Sequence, residues 1–303
     1  MAVVEVNPGS GGVSEAQRAE YAGKLEAGDI LFFPRIPFEF PDAQQKYLLS
    51  VRQMESGHHK NIAYKPRKDA VSNFSKNSAD QEQLRVALRD FSNRATGFLR
   101  EFFPMYAAKW RLDYASFRPI EEQGRDLPLR SRNDLLHTDA FPTRPTNGDL
   151  ILRFFVNINP DESRVWNTSI PFEPLAQKYG RQAGLDAVVR QAKSPLRRPL
   201  GLAARAGQMI GLKTPDRSPY DQFMLRFHHY LKENSDFQRD GPKLRSEFPP
   251  GCAWMVFTDV VPHAVVSGQF ALEQTYMIAY DSLTHPERAP VRALERLAGV
   301  ALI

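Results

Sequence analysis

Apolar residues recur at helical spacing in only a few stretches of this chain; elsewhere they alternate or run together in short blocks between turn residues. Leu84, Leu88, Phe91, Ala95, Phe98 and Leu99 fall on one side of a 3.6-residue repeat, which predicts a long amphipathic helix over Ala79–Phe102. Ser78 with Gln81 opens it as a capping box, and Pro104 ends it. Ser14 with Gln17 marks a shorter helix running to about Ala27, followed by a strand at Asp29–Phe33. A helix over Gln44–Gln53 comes next, and the basic stretch His58–Asn77 reads as an exposed loop.

From Lys109 onward the pattern shifts to short blocks separated by Gly, Pro, Asn and Asp. Trp110–Phe117, Asp134–His137, Leu150–Ile158, Ala253–Thr258, His263–Val266 and Thr275–Tyr280 read as strands, which together suggest a β-sandwich or barrel. A more helical, basic insertion interrupts them at about 172–235 and contains a helix at Tyr220–Asn234. Pro286–Ile303 reads as a C-terminal helix. The expected organisation is one α+β domain, mainly β: helical support over 1–105, a β core over 106–285, and the helix over 286–303.

Composition changes this picture little. The 303 residues are 42% hydrophobic and 25% charged, ordinary values for a soluble globular chain, and 20 Phe with 23 Pro favour strands joined by irregular loops. The single cysteine, Cys252, rules out an intrachain disulfide and fits a reducing compartment. Neither a secretory signal nor a membrane-spanning apolar run stands out, so a cytoplasmic location is expected. The net charge of +5 admits nucleic acid, an anionic membrane surface or an acidic small molecule as partner. The basic segments lack interleaved aromatics, which argues against nucleic acid.

The candidate chemistry lies in DLLHTDAFPTRP. On an extended backbone, His137 and Asp139 point to the same side. With His263, 124 residues beyond Asp139 in VVPHAVVSG, they make two imidazoles and one carboxylate, the set that holds Fe(II) with positions left open. The alternative is a surface turn in which Asp139 caps the backbone and His137 packs. His58 and His59 read as solvated, His228 and His229 as helix residues, although one of the latter pair could replace His263.

The segments HTDAFPTRPTNGDLILRFFVNINPDESRVWNTS and FTDVVPHAVVSGQFALEQTYMI resemble the Kdo 3-hydroxylases, from about Asn133 to Tyr280. These are Fe(II)- and 2-oxoglutarate-dependent dioxygenases acting on the outer Kdo sugar of Kdo–lipid A in lipopolysaccharide. The resemblance implies a double-stranded β-helix (jelly-roll) core, with His137, Asp139 and His263 as iron ligands. It implies 2-oxoglutarate and O2 as cosubstrates, with ascorbate as an in vitro reductant, and hydroxylation at C3 of Kdo. Because the substrate is a glycolipid, it also implies visits to the cytoplasmic face of the inner membrane by a monomer or weak oligomer.

One departure stands out. Many members of the wider superfamily carry an arginine about ten residues past the distal histidine to grip the far carboxylate of 2-oxoglutarate, and here that place is Glu273. Arg153 and Arg164 are the candidates to replace it, with Gln274 and Thr275 as polar helpers. Arg153 shares a strand face with Phe155 and Asn157; a structural ion pair is the competing role for it. Arg130 and Arg132 are candidate contacts for an acidic sugar or a phosphate, as are Arg197 and Arg198 in the insertion, which also read as a plain solvated loop, like Lys65-Pro-Arg67-Lys68. Two other functions fit the same sequence: this oxygenase chemistry on a lipid-like acid, a free sugar or a protein side chain, or a metal-free jelly-roll that binds acidic glycans.

Overall fold

A computed structural model describes residues 1–7, 12–51, 61–74, 78–194 and 217–303. The first half begins with β1 (Val3–Glu5), α1 (Glu15–Glu26), β2 (Ile30–Phe33) and α2 (Asp42–Ser50). The capping box of α1 forms as the sequence predicts: Gln17 N–H donates to Ser14 Oγ at 3.3 Å, and Ser14 N–H to Gln17 Oε1 at 2.9 Å. The expected loop at 58–77 is corrected. Its described part folds into the antiparallel hairpin β3 (Ile62–Lys65) and β4 (Ala70–Ser72), with Ala63 opposite Ser72. The turn Pro66–Asp69 is so charged that it hides the strands, and Ile62, Ala63 and Tyr64 are all buried, so they show no alternation.

The long helix α3 (Ser78–Phe102) is followed by the single turn α4 (Pro104–Ala107) and β5 (Arg111–Arg118). Leu84, Leu88, Phe91, Ala95 and Leu99 are buried, as their spacing requires. At its C-terminal end α3 sets Phe98 and Phe102 against Phe33 (5.5 Å each), and Phe98 against Phe154 (5.7 Å), covering one face of the main sheet.

The remaining elements are β6 (Leu150–Asn157), β7 (Arg164–Thr168), α5 (Phe172–Tyr179), α6 (Leu185–Lys193), α7 (Pro219–Glu233), α8 (Ser235–Asp240), β8 (Leu244–Phe248), β9 (Ala253–Phe257), β10 (His263–Ser267), β11 (Ala271–Ile278) and α9 (Pro290–Ala298). The helical character expected of the insertion is met by α5, α6 and α7. The C-terminal helix is shorter than expected, because Gly299 at φ 62° stops it.

Among the described residues the strands form an eight-stranded sheet, ordered β1-β2-β9-β6-β11-β5-β3-β4, and a three-stranded sheet, β10-β7-β8. Together they make the jelly-roll. Their inner faces meet through Trp254, stacked between Phe155 (5.1 Å) and Phe248 (4.1 Å), with Trp166 edge-on at 5.6 Å. The small sheet is the part least visible in the sequence. Two of its three strands, β7 and β8, were not expected, since RVWNT and LRSEF each carry charged residues that break the apolar signal. Asp134–His137 is likewise not a strand; His137 alone bridges to His263 across the edge of β10.

Candidate metal centre

The bridge between His137 and His263 is what builds the site. His137 N–H donates to the His263 carbonyl at 3.1 Å and His263 N–H to the His137 carbonyl at 3.0 Å, so the two residues are held side by side on different chain segments. Asp139 is fixed by its own N–H to the Thr258 carbonyl at 2.8 Å. The possible ligand atoms of His137, Asp139 and His263 all lie within 4.8 Å of one another, and all three residues are buried.

The backbone also selects the tautomers. His137 Nδ1 faces the Leu135 carbonyl oxygen at 2.7 Å, and His263 Nδ1 faces that of Val261 at 3.0 Å. A carbonyl only accepts, so each Nδ1 carries the proton and each Nε2 is left with a free lone pair. His137 Nε2 stands 3.8 Å from Asp139 Oδ1, too far for a hydrogen bond. Ligand bonds of roughly 2.1 Å from each atom to one ion fit that gap. The donor set suits a divalent transition metal with open positions.

Electrostatics favour the same states. Burial, reinforced by Lys232 and the His263 and His228 rings, holds His137 well below its ordinary range, and burial lowers His263 too, so both stay neutral as ligands must. Burial is the largest single influence on the Asp139 carboxyl and would raise it, but the Arg153 guanidinium, the His263 and His137 rings and a hydrogen bond from Thr258 together outweigh it and hold the group well below the usual range.

The three residues line a cavity of about 170 Å³ with Arg118, Asn133, Arg153, Phe155 and Trp166 among its walls. Arg153 reaches Asp139 Oδ2 at 2.9 Å and Glu273 Oε1 at 2.9 Å, and Arg118 contacts Glu273 Oε2. Glu273, standing where an arginine was expected from the wider superfamily, is therefore the carboxylate that orients two arginines from neighbouring strands. Arg153 opposes Thr275 across β6 and β11, and Glu273 opposes Ser116 on β5, so these groups share the inner face. Arg118 was not anticipated. Its signal is present in the strand pattern, since Arg118 alternates with the buried Phe117 at the end of β5.

The other expected residues separate. Arg164 is fully buried, but it donates to the Gly268 carbonyl at 2.8 Å and faces Glu122 at 3.6 Å, behind the cavity wall rather than on it. Gly268 permits this close approach: its φ is 112°, and a Cβ there would come within 2.9 Å of Arg164 Cα. Thr275 donates to Glu273 Oε1 at 2.8 Å, one contact removed from the cavity. Gln274 is corrected: it lies on the opposite face of β11, opposite Phe154, and its amide donates to the Asp113 carbonyl at 3.1 Å where the strand bulges.

Arg130 and Arg132 pair on the surface with Glu233 (2.7 Å) and Asp134 (2.9 Å) and do not line the cavity. Arg197 and Arg198 lie outside the described residues, as do His58 and His59. His228 is no ligand but a support: its Nδ1 approaches the Thr138 carbonyl oxygen at 2.7 Å and its ring lies 4.9 Å from that of His137. His285 sits apart, facing Glu287 at 3.3 Å.

Behind the centre, Asp259 accepts from Ile151 N–H at 3.1 Å, while its other oxygen has no partner. Burial pushes its carboxyl up to about 7. A raised folded-state value means the folded protein holds this proton longer than the unfolded chain, so Asp259 costs stability increasingly as pH rises from about 4 to about 7. Relative to wild type, Asp259→Asn is expected to gain up to a few kcal/mol over that interval, with little difference at pH 4. Urea denaturation midpoints at several pH values check this; parallel pH curves for the two proteins would refute it.

A family model for 3-deoxy-D-manno-oct-2-ulosonic acid (Kdo) hydroxylase matches residues 10–301. Three solved structures of the Kdo hydroxylase KdoO, a non-haem Fe(II) α-ketoglutarate-dependent dioxygenase, are similar throughout. The complex with α-ketoglutarate and Fe(III) is 31% identical, with 100% of this chain and 98% of that chain covered and a TM-score of 0.83. The apo form is 32% identical over 100% and 98%, with a TM-score of 0.84. The complex with succinate and Fe(III) is 32% identical over 99% and 97%, with a TM-score of 0.83. Among curated proteins no relative matches.

Proposed function

The chain belongs to the Kdo hydroxylase family, and from that premise we propose that it hydroxylates C3 of the outer Kdo of Kdo–lipid A, using Fe(II), 2-oxoglutarate and O2. The observation that carries this reading is the buried His137–Asp139–His263 cluster, opening onto a cavity walled by two arginines that share one carboxylate. Fe(II) held by His137 Nε2, Asp139 and His263 Nε2 supplies, with 2-oxoglutarate and O2, the oxidation of an unactivated C–H to C–OH, yielding succinate and CO2.

The chain's own residues bind, orient and exclude water. Arg118 is the anchor for the far carboxylate of 2-oxoglutarate. Both ends of Arg153 already face acids, Asp139 and Glu273, whereas Arg118 has one end on Glu273 and the other 3.9 Å from Glu122, beyond hydrogen-bond length. The Nε atoms of both arginines lack a hydrogen-bond partner, so it is the free terminal end that distinguishes Arg118. Arg153 orients the Asp139 carboxylate toward the metal position. The buried arginines Arg118, Arg153 and Arg164 face Asp139, Glu122 and Glu273, and Arg125 also reaches Glu122 at 3.1 Å. A divalent cation and a dicarboxylate add equal charge of each sign, so binding both leaves the net charge of the cavity unchanged. Trp166, stacked on the His263 ring at 5.1 Å, and Phe155 form a dry wall that fixes the imidazole plane.

Among the described residues no helix is long and apolar enough to cross a membrane. The proposed substrate is itself lipid-anchored, and on that ground we infer that the enzyme meets it at a membrane surface. Purified protein with Fe(II), ascorbate, 2-oxoglutarate and Kdo–lipid A is expected to form succinate and add one oxygen to Kdo, read by mass spectrometry of the released sugar. Succinate formation without that added oxygen would sink the substrate assignment, and no succinate with any Kdo substrate would sink the activity.

A further inference from the structure

A second cavity, of about 350 Å³, opens on the same inner sheet face as the metal centre but farther along the strands. Its rim carries Lys65, Arg67 and Lys68 from the β3–β4 turn, with Arg111 on β5 and Arg144 from the segment that follows Asp139. Arg111 faces Asp149 at 2.8 Å and Arg144 faces Asp113 at 3.0 Å. The three turn cations have no carboxylate partner among the described residues. Asp69, the acid beside them, is taken by Arg85, Arg89 and the Tyr64 hydroxyl. Three uncompensated cations, beside two arginines each paired with one carboxylate, of which Asp113 also lines the cavity, leave this concavity with a net positive charge that makes it a site for an anion.

Two features tie this groove to the metal centre. Met277 on β11 lines the groove, and Glu273 on the same face of that strand holds Arg118 and Arg153 at the metal cavity. Four residues of strand separate them, roughly 13 Å. The Arg144 guanidinium is layered between Tyr114 of the groove (4.0 Å) and Phe141 (4.5 Å), and Phe141 lies in turn beneath Arg153 (5.6 Å). The chain running from Asp139 to Arg144 thus forms part of both cavities. Leu112 and Met277 give the groove an apolar floor, which suits the sugar and acyl faces of an amphipathic molecule better than a fully hydrated ion.

We propose that the groove of Lys65, Arg67, Lys68, Arg111 and Arg144 binds a phosphate group of the glycolipid whose acidic sugar lies at the metal centre. The proposal rests on the hydroxylase reading for the identity of that sugar. It makes the enzyme a reader of two points on one molecule, which selects a lipid-linked, phosphorylated acceptor over free sugar.

The test compares Arg67→Glu/Lys68→Glu, on an exposed turn, with Arg239→Glu/Arg245→Glu on a distant exposed surface. Three substrates are used: intact phosphorylated glycolipid, its deacylated water-soluble phosphorylated glycan, and that glycan after phosphatase treatment. The groove variant is expected to raise KM for both phosphorylated substrates about tenfold relative to the dephosphorylated glycan, with kcat held, and the effect should shrink in high salt. The distant variant should leave all three KM values in place.

An equal shift with all three substrates, or no shift, overturns the proposal. So does a shift confined to the lipid-linked substrate, which would assign these cations to membrane headgroups. If no substrate is turned over, the hydroxylase reading fails, and calorimetry with the deacylated phosphorylated glycan still decides the groove: loss of its binding in Arg67→Glu/Lys68→Glu sustains the site, and unchanged binding removes it.

Discussion

Asp139→Ala is expected to abolish turnover and to weaken metal binding by at least about a hundredfold, since losing even an outer-shell partner of a metal ligand typically costs 10- to 100-fold. The residue supplies the only carboxylate in the three-ligand cluster, and it also neutralises one end of Arg153. Removing it leaves a buried guanidinium with Glu273 as its remaining acid, so some loss of stability accompanies the loss of metal. Asp139→Asn separates the two effects. It keeps the shape and a ligating oxygen but removes the charge, and it should retain more fold stability than the alanine variant while turning over no better. His263→Ala should lose metal in the same way. Metal content after dialysis, thermal melting and succinate release are the three measurements. Stoichiometric metal with normal succinate release in Asp139→Ala would place the centre elsewhere.

The second large effect concerns the cosubstrate. Arg118→Ala is expected to raise the KM for 2-oxoglutarate about a hundredfold, because a charge-assisted pair to a carboxylate in a buried site is worth roughly 1.5–3 kcal/mol. Metal content should hold, since Arg118 does not touch a ligand. Arg153→Ala should behave differently, losing metal affinity and cosubstrate affinity together because its guanidinium stands 2.9 Å from Asp139. Arg164→Ala, directed at the wall behind the cavity, should lower stability more than it changes KM. Steady-state KM for 2-oxoglutarate, metal content and melting temperature in the three variants distinguish these roles. A normal KM in Arg118→Ala with a raised one in Arg153→Ala would move the anchor to β6.

Some of this site is legible in the sequence because local spacing fixes it. His137 and Asp139 are two residues apart, and extended backbone sends both side chains the same way whether or not a strand forms. That is why the pairing is right although the expected strand at Asp134–His137 is not there: a single bridge to His263 suffices. Arg153 is legible too, as a charged residue in the apolar run of β6 that only an acid on the inner face could tolerate. Gln274 was misplaced for a related reason. Neighbours on a strand face opposite sides, so it could not share the cavity side with Glu273 and Thr275.

The sequence by itself determined the helices of the first half, through periodicity and caps, and the main strands, through apolar blocks and turn residues. It also set His137 and Asp139 on one side of the chain, while His263 was one candidate among the distant histidines until the family resemblance singled it out. These are properties of local geometry and of side-chain chemistry. Only the tertiary structure decided which arginines face the cavity, because Arg118, Arg153 and Arg164 are separated along the chain and become neighbours through the pairing of β5, β11 and β6 and the packing of β7 opposite. It likewise turned Glu273 from a missing arginine into the acid that orients two others. It gathered Lys65, Arg67 and Lys68 into one concavity with Arg111 and Arg144. Charge has no periodicity to read: its partners are set by which strands lie side by side, and that register exists only once the sheets have formed.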